Sequence, residues 1–150
     1  MSLKQQIDDD IKKAMLARNK EDLEALRSIK SLILLAETEK GSSEEVSTES
    51  EKKLLMKAAK QRKESAEIFE KQNRKDLADR ELKQLDVINR YLPKQLSEQE
   101  IKSALQSVIK EVGATGPQDM GKVMGVATKK LAGQADGKMI SETLKKLLSP

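Results

Sequence analysis

The chain has 150 residues, 36% of them charged and 37% apolar, with 29 basic residues against 25 acidic ones, no Cys and no His. This excludes a disulfide framework and thiol chemistry, and it removes the usual general base and commonest metal ligand near neutral pH. With Phe69 and Tyr91 the only aromatics, the core must be Leu, Ile, Val, Met and Ala, and the abundance of Ala, Leu, Lys, Glu and Gln favours helix over strand.

Leu3, Ile7, Ile11 and Met15 recur at i, i+4 and predict a first helix. After a short turn at Arg18-Asn19-Lys20, the series Leu23, Leu26, Ile29, Ile33, Leu34 predicts a second helix ending near Lys40-Gly41, followed by a polar loop from Gly41 to Ser47. Thr48 with Glu51 has the spacing of a capping box. It opens a long third helix with Leu55, Ala58, Ala59, Arg62, Ala66 and Phe69 on one face. Asn73-Arg74 is a tight turn, and Leu77, Leu82, Leu85, Ile88 and Leu92 mark a fourth helix. Pro93 stops that helix, having no N–H to donate, and is the expected domain boundary.

Beyond Pro93, Ser97 with Glu100 forms a second capping box. Helix five carries Ile101, Leu105, Val108, Ile109 and Val112 and closes at Gly113. Pro117 falls in the first turn of helix six, whose stripe is Met120, Val123, Met124, Ala127 and Leu131, with Gly133 as its stop. Asp136 is the expected N-cap of helix seven, which carries Ile140, Leu144, Leu147 and Leu148. The pattern predicts an all-α protein with a four-helix domain over residues 1–93 and a three-helix domain over residues 94–150. The first part holds 20 bases and 19 acids and the second 9 and 6, so of the net +4 the smaller part carries +3. That asymmetry leans toward an anionic partner. No apolar run reaches the roughly 18 residues of a membrane span and no apolar signal core opens the chain, so the expected location is cytoplasmic, without a membrane partner.

Tyr91-Leu92-Pro93-Lys94-Gln95-Leu96, Asp119-Met120-Gly121-Lys122-Val123-Met124 and Gly133-Gln134-Ala135-Asp136-Gly137 together resemble the YqeY family over essentially the whole chain. The C-terminal part is also similar to the tail domain of the B subunit of tRNA-dependent amidotransferases, which carries Gly-x-Val-Met and then Gly-x-Ala-Asn-Pro. Gly121, Val123, Met124, Gly133 and Ala135 match it, Asp136 stands for Asn and Gly137 for Pro. This chain has about one extra helical turn between the motifs, so RNA contacts carry over only for the first. In the parent enzyme the tail helps hold the tRNA while other domains perform the chemistry. The resemblance implies a tRNA-associated protein, grouped with carbon–nitrogen ligases that use glutamine as amide donor.

The residues leave several readings open. Lys122, Lys129 and Lys130 on helix six and Lys138, Lys145 and Lys146 on helix seven could track RNA phosphates, or be a solvated polar face. Gly121 and Gly125, each costing about 1 kcal/mol inside a helix, imply either a helix packed closely on that side or the approach of an RNA backbone. Arg62 interrupts an apolar face and needs a partner. A hairpin turning at Asn73-Arg74 offers Asp86. Asp8, Asp9 and Asp10 could gather a cation or be exposed charge on the first turn of a helix. No phosphate loop, nucleophile–base pair or magnesium carboxylate set is visible, so no catalytic residue, metal or cofactor is expected. Three functions compete: an accessory module binding tRNA or a tRNA-handling enzyme, a glutamine-dependent amidotransferase component, and a helical protein–protein adaptor.

Overall fold

The computed structural model describes residues 2–39 and 46–149. Among these the regular elements are helical: α1 (Leu3–Leu16), α2 (Lys20–Glu39), α3 (Thr48–Lys71), α4 (Lys75–Asn89), α5 (Glu98–Val112), a 3-10 turn (Pro117–Asp119), α6 (Met120–Lys130) and α7 (Gly137–Leu148). The expected loop Gly41–Ser47 lies outside the described residues up to position 45. The chain divides into two compact units, Met1–Leu92 and Pro93–Pro150.

In the first unit, Ile7 and Ala14 of α1, Leu26, Ile29 and Ile33 of α2, Leu55 and Ala58 of α3, and Val87 and Ile88 of α4 share one core. Each buried Leu, Ile or Val contributes about 1.5–3 kcal/mol. Not every apolar residue of the stripes is covered. Met15, at the end of α1, is 54% exposed, and Leu34 and Leu82, beside the buried faces of α2 and α4, are 40% and 38% exposed. Helix α4 ends at Asn89, and its last carbonyls are taken in a turn by the N–H groups of Tyr91 and Leu92. Pro93 therefore follows a helix already finished, instead of stopping it.

Caps place the helix starts. Ser2 with Gln5, and Ser97 with Glu100, form complete capping boxes on α1 and α5. For α3 the cap is Ser47, whose Oγ accepts from the Ser50 N–H, one residue before the expected Thr48–Glu51 box. Two adjacent residues were both competent N-caps, and the structure uses the first.

The α1–α2 and α3–α4 hairpins turn through residues held in the left-handed region, Arg18 (φ 55°) and Asn73 (φ 57°). Three ion pairs then join the N-terminal half of α2 to α4: Lys83 to Glu21 at 2.7 Å, Arg90 to Asp22 at 2.9 Å, and Arg80 to Glu24. Such solvent-facing pairs are screened by water and contribute little to stability, so they fix the register of α4 on α2 more than they stabilise it. The predicted partner of Arg62 was wrong by more than a helical turn. Its guanidinium meets Glu81 at 3.0 Å, both groups half-buried, while Asp86 is exposed. The tight turn at Asn73 brings the hairpin back sooner than an Arg62–Asp86 pairing requires.

In the second unit, Ile101, Leu105 and Val108 of α5, Val123 and Ala127 of α6, and Ile140, Leu144 and Leu148 of α7 form a separate core. Gly113, at φ 73°, ends α5 in the left-handed conformation that glycine adopts without strain. Pro117 does not lie inside α6. It begins the 3-10 turn that leads into it.

Candidate nucleic-acid interface

Helix α6 turns Val123 and Ala127 inward, which dictates what faces out. At 100° per residue, Lys122, Gly125 and Lys129 fall within about 60° of one another on the side away from the core, with Gly121 at their edge. All four are exposed. The two lysines are about 10 Å apart along the axis.

The glycines separate the two readings that the sequence left open. A Cβ built on Gly121 or Gly125 meets nothing within 4 Å. No helix of the second unit packs on that side, so close packing within that unit does not account for the glycines. What remains is a strip of bare helix backbone beside two outward lysines. The wheel position opposite the apolar stripe was a usable signal for this in the sequence.

The other predicted lysines divide. Lys130 forms an ion pair with Glu111 of α5 and lies about 100° round α6 from Lys129, so it is not part of that strip. Lys138, Lys145 and Lys146 are exposed on α7, but Glu142, also exposed, stands one turn from each of them and breaks the positive track. Lys145 and Lys146 occupy the last turn of α7, where cations are favoured by the helix dipole whatever else they do.

Acidic neighbours shape the field around Lys122. The Asp119 carboxylate accepts from the N–H of Thr115 at 2.9 Å and from its hydroxyl at 3.4 Å. The backbone hydrogen bond from Thr115 is the main reason its pKa is lowered, with Lys122 a minor contributor. Asp119 thus stays ionised and pins the approach to α6. Asp136 is the N-cap of α7, its side chain accepting from the Lys138 N–H at 3.4 Å, as the sequence predicted.

The second motif of the resemblance is architectural. Helix α6 is closed by Leu131, whose N–H returns to the Ala127 carbonyl, two residues before the expected stop; Gly133, at φ 79°, lies in the following turn, where the N–H groups of Gln134 and Ala135 return to the Leu131 carbonyl. Ala135 is buried in the core and Asp136 starts α7.

In the first unit the three adjacent aspartates are not one site. They lie in the second and third turns of α1, since its first turn has no acid. Asp8 pairs with Lys30 of α2 at 2.6 Å, and Asp10 accepts a hydrogen bond from the Tyr91 hydroxyl. Among the described residues no group of three or more acids could hold a metal ion. Burial, and then the bond to Asp10, raises the Tyr91 pKa well above that of a free phenol. Tyr91 thereby ties α1 to the end of α4, a role that spacing alone did not reveal. No helix among the described residues is long and apolar enough to cross a membrane.

Comparison with known proteins places this geometry in a family. Two relatives are named altered inheritance of mitochondria protein 41, mitochondrial. The one from Clavispora lusitaniae is 37% identical over 107 residues, covering 70% of this chain and 61% of its own length. The chain thus spans about three-fifths of that relative. The one from Pyrenophora tritici-repentis is 29% identical over 144 residues, covering 93% of this chain and 77% of its own. The family model described as Yqey-like protein matches residues 4–148, nearly the whole sequence, and the chain belongs to that family.

Proposed function

We propose that this protein is an accessory tRNA-binding module, acting on tRNA alone or beside a tRNA-handling enzyme, and that it takes no catalytic part in amide transfer. The observation that carries the reading is the outward strip Gly121–Lys122–Gly125–Lys129, where two unpacked helical glycines adjoin two exposed lysines. Each glycine costs its helix stability, and no described residue of the second unit uses the space it leaves. An RNA backbone approaching α6 would use it, with the lysines on phosphates. The face has no aromatic side chain, which favours the shape and phosphates of folded RNA over base stacking. In this reading residues 94–150 are the RNA-facing domain and residues 1–93 a separate helical domain. The relatives are named as mitochondrial, so the compartment is one that contains tRNA, the cytosol or the mitochondrion.

The test is a tRNA gel shift at low salt with the full chain and with a Lys122→Glu/Lys129→Glu variant. The variant should bind at least about tenfold more weakly, with an unchanged melt, since exposed substitutions shift stability by only about 0.5 kcal/mol. Equal binding by both proteins, or by neither, refutes the reading and leaves a protein–protein adaptor in its place.

A further inference from the structure

The segment between α4 and α5 is short and doubly anchored. At one end the Tyr91 hydroxyl is bonded to Asp10, and Leu92 packs against the first core. At the other, the Gln95 side-chain amide donates to the Gly133 carbonyl at 2.6 Å and to the Pro93 carbonyl at 3.0 Å. Next to it the Leu96 N–H donates to the Gln134 carbonyl at 2.9 Å, and the Leu96 side chain rests on the second core. Gly133 and Gln134 are therefore receivers: the left-handed turn that follows α6 presents its carbonyls to the incoming chain.

We propose that Gln95 and Leu96 form a releasable strap that sets the length of the tether joining the two units. With the strap closed, the free stretch runs from Leu92 to Gln95 and spans at most about 11 Å. With it open, the stretch reaches Ser97, the cap of α5, and spans up to about 18 Å. Opening costs the second unit only its edge: Gln95 is exposed, and Leu96 is partly buried against the rim of a core whose centre, Leu105, Val123, Ala127 and Leu144, lies elsewhere. Its hydrogen bonds to the loop after α6 make the strap weaker than the helices it joins. The device works from within the second unit and does not depend on what α6 binds.

Two readouts on the full chain test it: amide hydrogen exchange at Leu96, and the rate of trypsin cleavage after Lys94. In the wild type the Leu96 amide should exchange more slowly than an open chain but faster than the Leu144 amide of the core. Gln95→Leu removes both donated bonds at similar size. It should speed Leu96 exchange and Lys94 cleavage about threefold to tenfold, the opening expected when a net hydrogen bond is lost, with Leu144 exchange unchanged. Open-chain exchange at Leu96 in the wild type overturns the proposal, as does exchange matching Leu144. So does a Gln95→Leu variant whose Leu96 and Lys94 rates match the wild type, or whose Leu144 amide accelerates in step with Leu96.

Discussion

Replacing Gly125 by Ala turns the open strip on α6 into a measurement. Gly125 is interior to α6 and has ordinary right-handed helical geometry, since it is absent from the glycines with positive φ. The new methyl group would enter empty space, meeting nothing within 4 Å. Only the intrinsic helix preference then changes, and Ala exceeds Gly by about 0.8–1.0 kcal/mol in a helix interior. Gly121 is the second residue of α6, where fewer helical bonds depend on it, so Gly121→Ala should gain less. Urea unfolding followed by circular dichroism should show Gly125→Ala more stable by about 1 kcal/mol, read as a higher midpoint at unchanged slope. On the proposed function the same variant should bind tRNA less well, because the methyl group holds the RNA backbone away. Stability would then rise as binding falls. A Gly125→Ala protein that is destabilised would mean that something packs on this face, and the reasoning from open space would be wrong.

Other perturbations test the framework. Glu81→Ala leaves the half-buried Arg62 without its partner and should cost about 1–2 kcal/mol, whereas Asp86→Ala should stay within about 0.5 kcal/mol; the reverse order in urea titrations would restore the Arg62–Asp86 pairing. Ser97→Ala removes the cap of α5 and should cost about 1 kcal/mol by the same assay. The raised pKa of Tyr91 means that the folded state prefers the neutral phenol. That preference contributes fully below pH 10, the ordinary phenol value, and is lost as pH rises above it. A pH series of melts should show wild type losing more stability above pH 10 than Tyr91→Phe, and parallel curves would contradict the Tyr91–Asp10 account.

Much of the fold was legible because helix signals are local. Ser97 with Glu100 gave the start of α5, Gly113 its end, and Asp136 the start of α7, each through bonds within four residues. Errors arose where distant segments decide. Whether Arg62 meets Glu81 or Asp86 depends on how tightly the chain turns at Asn73, which side-chain periodicity does not encode. Ser47 and Thr48 are near-equal caps, and their spacing to Ser50 and Glu51 does not choose between them. The pairs joining Glu21, Asp22 and Glu24 to α4, the Tyr91–Asp10 bond, and the Gln95 strap link residues 38 to 81 positions apart, and no spacing rule reaches them. On the candidate face, periodicity correctly turned Lys122 and Lys129 outward. It could not show that Lys130 is engaged by Glu111, or that no helix of the second unit covers Gly121 and Gly125.

The central claim is that Lys122 and Lys129 neutralise tRNA phosphates. The most direct measurement is tRNA affinity across a salt series, for the full chain and for the Lys122→Ala/Lys129→Ala variant. Each neutralised phosphate contributes a slope of roughly −0.7 to −0.9 in log affinity against log salt. The variant's slope should therefore be shallower by about 1.4–1.8. Lys130→Ala, whose ammonium is engaged by Glu111, should leave the slope unchanged. Identical slopes for wild type and the double variant, or a change as large from Lys130→Ala, would contradict the account.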